Sequence, residues 1–195
     1  MLLWIGLGVI VVAAGGAIAA GPIISRVEQP KYDVLESSGA IELRRYGPMI
    51  AAETPTVGAQ RPAIEEGFRR VAGYIFGGNK DKSKIAMTAP VVQQSSGSGG
   101  WTVGFIMPSE WSLDALPKPG DDRVRLVPVP ARRMIAITFS GTASTDVLDA
   151  KTRELRDYAA AKGLKVTGEP LLAFYNPPWT LPILRRNEVM LALSE

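Results

Sequence analysis

The chain contains neither cysteine nor histidine. Without cysteine there is no disulfide framework, no thiolate nucleophile and no Cys-type zinc site. Without histidine it lacks the commonest general base and the commonest metal ligand. A Ser-His-Asp hydrolase and any imidazole-ligated centre are therefore excluded. Charge of one sign is scarce as well: 22 Lys and Arg against 19 Asp and Glu leave a net +3. That excess is too small and too dispersed to mark a nucleic-acid surface. No phosphate-cradling glycine loop, no D-x-D and no H-E-x-x-H occurs. No catalytic constellation emerges, and a binding role is expected rather than an enzymatic one. A length of 195 residues suits one compact domain, or two small ones.

What the chain does have is a long apolar start. Met1 to Ser25 carries no charged side chain, and the run is long enough to cross a bilayer of about 30 Å as a helix. The expected organisation is a membrane anchor or signal segment over 1–25, a linker over 26–31 and a folded domain over 32–195. The missing Lys or Arg n-region and the length of the run favour a retained single-pass anchor, whereas Ala17-Ile18-Ala19 has the small-x-small form of a signal-peptidase site. Cleavage there would instead release an exported or periplasmic protein.

The rest of the chain repeats itself at about half its length, a pattern to seek first. Arg44-Arg45 leads to Met49-Ile50-Ala51, and Arg132-Arg133 leads to Met134-Ile135-Ala136 about 85 positions later. A helical stripe follows each: Ile64, Phe68, Val71 and Ile75, then Leu148, Thr152, Leu155 and Ala159. Pro62 suits the first turn of one helix, and Ser144, Thr145 or Asp146 can cap the other. Gly77-Gly78 and Gly163 end them. Each half adds two strand-like runs: Ile85 to Val92 and Trp101 to Met107, then Leu171 to Tyr175 and Glu188 to Leu193. Gln94 to Gly100 reads as a flexible loop, and Leu116 to Asp122 as the link between halves. The expected class is α+β: two β-β-α-β-β units forming a distorted antiparallel β-barrel flanked by two helices. A cleft between the halves is the expected ligand position.

The segments Gly73-Tyr74-Ile75-Phe76-Gly77-Gly78-Asn79, Lys84-Ile85-Ala86-Met87-Thr88-Ala89-Pro90-Val91 and Phe105-Ile106-Met107-Pro108 resemble the SOUL haem-binding protein family. So do Asn176-Pro177-Pro178-Trp179 with Arg185-Arg186-Asn187-Glu188-Val189, and the opening pair Tyr32 to Leu35 and Arg44 to Tyr46. The resemblance spans about Tyr32 to Leu193. It implies a twisted barrel with two helices, and reversible, non-catalytic binding of haem or another porphyrin in an apolar groove beside the first helix. One branch of that family is thought to use a His axial ligand, and none exists here.

On this reading the ligand-binding candidates are Phe68, Arg69, Arg70, Ala72, Tyr74 and Trp179. Arg69 and Arg70 emerge on the helix flank, where a planar guanidinium suits carboxylates; the bland alternative is a solvated face with a Glu65–Arg69 pair. Tyr74 is a possible phenolate ligand or a packed aromatic. Trp179 either walls the groove or plugs one end of the barrel. Met49, Met87, Met107 and Met134 are thioethers that can ligate haem iron but usually fill core gaps. Glu188, beside Arg185 and Arg186, either closes an ion pair or meets a cationic ligand, as in the distantly similar effector-binding domains. A small hydrolase using Tyr74 or Tyr175 with Glu188 is the enzymatic rival.

Overall fold

The computed structural model describes residues 27–194. The apolar start, and with it the expected anchor, lies outside the described residues. Nine strands and two α-helices follow in order: β1 (Tyr32–Ser38), β2 (Ile41–Tyr46), β3 (Met49–Val57), α1 (Gln60–Ile75), β4 (Val91–Gly97), β5 (Gly100–Ile106), β6 (Arg125–Val129), β7 (Arg132–Phe139), α2 (Thr145–Ala161), β8 (Val166–Phe174) and β9 (Asn187–Leu193). A single 3-10 turn, Pro182–Leu184, precedes β9.

The strands form one antiparallel sheet in the order β1-β2-β7-β9-β8-β4-β5-β3-β6. The expected barrel is not closed. Strands β1 and β6 are the two edges and do not pair with each other. Leaving out β1, the order is a palindrome of the repeat, in which β2, β7, β9 and β8 mirror β6, β3, β5 and β4. The first strand of each unit is exchanged: β2 pairs with β7 of the second half, and β6 with β3 of the first. This exchange ties the halves into one sheet with a pseudo-twofold axis between β4 and β8.

Both helices end alike. The amide of Gly78 donates to Gly73 O at 2.8 Å, and that of Leu164 donates to Ala159 O at 2.9 Å. Gly77 and Gly163 take the positive φ that such C-caps require, at 107° and 67°. Their starts differ. The Ser144 hydroxyl accepts from Val147 N at the head of α2, while Ala59 offers α1 no side-chain cap.

Two predicted boundaries move. Ile85 to Pro90 is not strand, and β4 begins at Val91. Gln94 to Gly97, expected in a flexible loop, continues β4, leaving Ser98 and Gly99 as a tight hairpin turn before Gly100 opens β5.

Helix α1 packs on β3 and β5 through Ala52, Val71, Tyr74, Ile75 and Phe105. Helix α2 packs on β7, β8 and β9 through Leu148, Leu155, Leu172, Val189 and Leu191. Strand alternation sends the intervening residues to the opposite, helix-free face, where Tyr46, Met134, Ala136, Ala173, Tyr175 and Met190 form a third cluster.

Candidate functional site

On the helix-free face the two halves differ in what fills equivalent positions. In the second half, β9 presents Glu188 and β2 presents Arg44, both essentially without exposure at 0% and 1%. The Arg44 fork donates to both Glu188 carboxylate oxygens, at 2.8 and 3.1 Å. Arg186 donates to Oε1 from Nε and Nη2 at 3.1 and 2.7 Å. The Tyr175 hydroxyl donates at 2.8 Å and the Thr138 hydroxyl at 3.1 Å. Arg186 also stacks over the Tyr175 ring at 3.9 Å, and Arg44 over Tyr32 at 4.3 Å.

Six donors saturate the carboxylate. Burial pulls the Glu188 carboxyl upward, but its bonds and charge interactions with Arg44 and Arg186 outweigh that and hold it below the ordinary 4.5. Burial pushes the Tyr175 phenol well above its ordinary value. A base that is already ionised and fully bonded has no site for a water, and the neighbouring phenol keeps its proton. Glu188 is therefore the closed ion pair among the sequence alternatives.

In the first half, the matching positions on β5 and β6 are Gly104, Thr102 and Val129, 84 to 85 positions from Glu188, Arg186 and Arg44. These small or apolar residues leave a narrow cleft of about 150 Å³ between the halves, whose walls include Ala51, Met134, Met190, Tyr46, Tyr175 and Arg132. Arg132 Nε is buried and has no hydrogen-bond partner among the described residues. Burial lowers its basicity, partly offset by Tyr46, without threatening its charge.

A wider cleft of about 630 Å³ adjoins it and shares Pro30, Met49 and Ile106 with it. Residues just after the apolar start wall it on one side, and Ile50, Met107, Pro108 and Trp111 on the other. Those first residues are not a free linker. Glu28 O accepts from Ala89 N at 2.9 Å, Glu28 Oε1 accepts from Ser109 N at 2.9 Å, and Gln29 Oε1 accepts from Arg186 Nη1 at 3.2 Å. Lys31 and Arg45 stand exposed among the lining residues, Arg45 paired with Asp33 at 2.9 Å. Trp111 Nε1 is a second buried donor without a partner.

The residues singled out from the sequence are spread around α1 and the β8–β9 connection. Phe68 packs on Phe105 with ring centroids 5.6 Å apart. Arg69 is exposed, while Arg70 is tied to Glu66, Thr54 Oγ1 and Pro55 O. The expected Glu65–Arg69 pair is replaced by Arg61–Glu65 at 3.4 Å. Ala72 and Tyr74 are buried, and the Tyr74 hydroxyl donates to Pro117 O at 2.9 Å. Trp179 is 73% exposed, in a connection that also exposes Leu181, Ile183 and Leu184. None of the six lines either cleft.

Trp111 was not singled out from the sequence, and Arg132 entered only as one of the repeated strand doublet. Strand alternation implies that one arginine of each strand doublet points inward, but not what it meets there. Among the described residues, no cluster of three or more acidic side chains is placed to hold a metal.

Residues 27–192 match the family model described as SOUL heme-binding protein. Heme-binding protein 2 of Homo sapiens is 31% identical over 178 residues, covering 85% of this chain and 85% of that protein. Heme-binding protein 2 of Mus musculus is 29% identical over 187 residues, covering 89% and 90%. Among solved structures, the EcmrR C-terminal domain superposes with a TM-score of 0.63 at 9% identity, covering 84% of this chain and 98% of that one. A hydrolase from Listeria innocua superposes at 0.56 with 15% identity, covering 82% and 94%. At such identities these two structures share the fold.

Proposed function

The chain belongs to the SOUL heme-binding protein family, and from that premise we propose that it holds haem or a related tetrapyrrole, without catalysis, in the wide cleft at the start of the folded domain. The observation that carries this reading is the cleft itself. Its 630 Å³ falls in the range of about 300–1,000 Å³ typical of small-molecule sites, and the narrow cleft does not. Met49, Ile50, Met107, Pro108 and Trp111 supply apolar wall, the Trp111 N–H is an unused donor, and Lys31 and Arg45 are cations beside it. That set fits a flat apolar ligand bearing carboxylates. With no imidazole in the chain, the thioethers of Met49 and Met107 are the soft donors in the lining.

The flank of α1, with Phe68 and exposed Arg69, is the second position, favoured by the exposed Phe76 at the end of that helix (57% exposed). Titrating the detergent-solubilised full chain with hemin and following the Soret band separates the two. Saturation at one equivalent is expected, weakened about tenfold, or about 1.4 kcal/mol, by Lys31→Glu with Arg45→Glu. Loss on Arg69→Glu instead would move the ligand to α1. No saturation in any variant would remove the tetrapyrrole reading, and an unaided bis-imidazole spectrum would contradict the sequence.

The apolar start bears on where the ligand is met. Retained as an anchor, it would end at Ser25, three residues before Glu28, which the domain pins. Three residues span at most about 10 Å. The wide cleft would then open beside the bilayer, into which an apolar macrocycle partitions. The mass of the mature N-terminus in fractionated cells tests this: an intact Met1 in the membrane pellet sustains the tether, and a soluble form starting near Ala20 defeats it.

A further inference from the structure

We propose that the narrow cleft between the two halves is a carboxylate-selective subsite, in which Arg132 and Tyr46 receive the acid group of a small ligand with an apolar body. This rests on the cleft geometry alone. Failure of hemin binding would leave it standing.

The charges facing this region decide its sign. Glu188, the fully buried acidic group of the helix-free face, is bonded by six donors and is absent from the cleft lining. It offers a cation nothing. Glu53, on the cleft wall, is paired with Arg125 at 3.4 Å. Arg132, in contrast, has no carboxylate within ion-pair distance among the described residues, and its Nε is buried without an acceptor. Tyr46 lies directly across from Arg132 in the β2–β7 register. Its oxygen accepts from Arg44 at 3.2 Å, and its own proton has no acceptor among the described residues. Two unused donors thus sit side by side on adjacent strands. Arg132 is half-buried, and a buried guanidinium nitrogen left without an acceptor is costly; a carboxylate relieves that cost through charge-assisted hydrogen bonds.

Size and lining set the rest of the ligand. A volume of 150 Å³ holds about five water molecules' worth of liquid, enough for a carboxylate on a short aryl or alkyl body and too little for a macrocycle. Ala51, Met134 and Met190 supply the apolar wall. A longer body would extend past Pro30 and Met49 into the wider cleft.

The methionines make the test internal. Met134 and Met190 line the narrow cleft, Met107 lines the wide one, and Met87 packs against the α1 cluster outside both. With 13C-methyl methionine in the detergent-solubilised full chain, benzoate should shift the Met134 and Met190 methyls saturably while Met87 stays still. Benzylammonium, equal in size and opposite in charge, should not. Arg132→Leu should weaken benzoate at least tenfold, and Arg132→Lys should retain part of the response. Equal responses to the two probes, undiminished binding by Arg132→Leu, or shifts confined to Met107 would each overturn the proposal. Should Arg132→Leu fail to fold, the benzoate and benzylammonium contrast on the parent chain decides it.

Discussion

The two halves of the sheet are built from the same repeat and packed against equivalent helices, yet their helix-free faces do opposite things. The second half places Arg44, Arg186 and Glu188 where the first places Val129, Thr102 and Gly104. One half therefore fills its face with a bonded ionic network, and the other stays hollow. A duplicated fold needs only one such network to hold its strands in register. The vacated copy becomes the place where a ligand can enter, and the contrast can be broken from either side.

The largest effect is expected at Glu188. Glu188→Gln leaves Arg44 buried with only the partly exposed Glu42 beside it, at 2.7 Å. A loss of about 3–5 kcal/mol is expected in urea unfolding. A loss below about 1 kcal/mol would mean that Glu42 suffices and the network is not what distinguishes this half.

The same residue predicts a pH dependence. Its folded pKa is lowered, so its contribution is complete above the unfolded value near 4.5. It drains away as pH falls through the still lower folded value. The stability gap between the parent and Glu188→Gln should shrink steadily from pH 5 downward. A gap unchanged at pH 3 would contradict the assignment.

In the hollow half, Gly104→Ala would set a Cβ 2.7 Å from the Ala52 carbonyl oxygen, a backbone atom that cannot step aside. A loss of about 1–3 kcal/mol is expected. Neutrality would show that β3 and β5 can separate locally, so that the absence of a side chain is not what shapes the cleft.

The smallest contrast is at the helix starts. Ser144→Ala should cost about 0.5–1 kcal/mol, and Ala59→Ser should return a similar amount to α1. Opposite signs in thermal melts would sharpen the comparison; equal signs would blur it.

Much of the fold was legible. The helix stripes and C-cap glycines were, because periodicity and φ preference are local properties. The barrel was overdrawn, since counting strands says nothing about whether the two edge strands meet. The end of β4 hid within a run of serines and glycines that reads as a loop by composition, while β5 held it as strand through Gly97 and β8 paired it as far as Gln94. The site was less legible. Phe68 and Tyr74 were recognised as aromatic but spend their surface on the core. Trp111 carries no motif, and Arg132 stands in the repeat only as one arginine of a doublet.

By itself the sequence determined the repeat, the two helices, the missing imidazole and the family, because each is a matter of residue identity at short or fixed spacing. Tertiary structure alone decided the rest. The exchange of β2 and β6 between halves brings Arg44 onto Glu188 across 144 positions, which closes the carboxylate that the sequence left open to a cationic ligand. The same exchange sets Tyr46 beside Arg132, whose guanidinium is left facing a cavity. Which buried charge finds a partner depends on strand neighbours far apart in the chain, and such neighbours exist only once the sheet has formed.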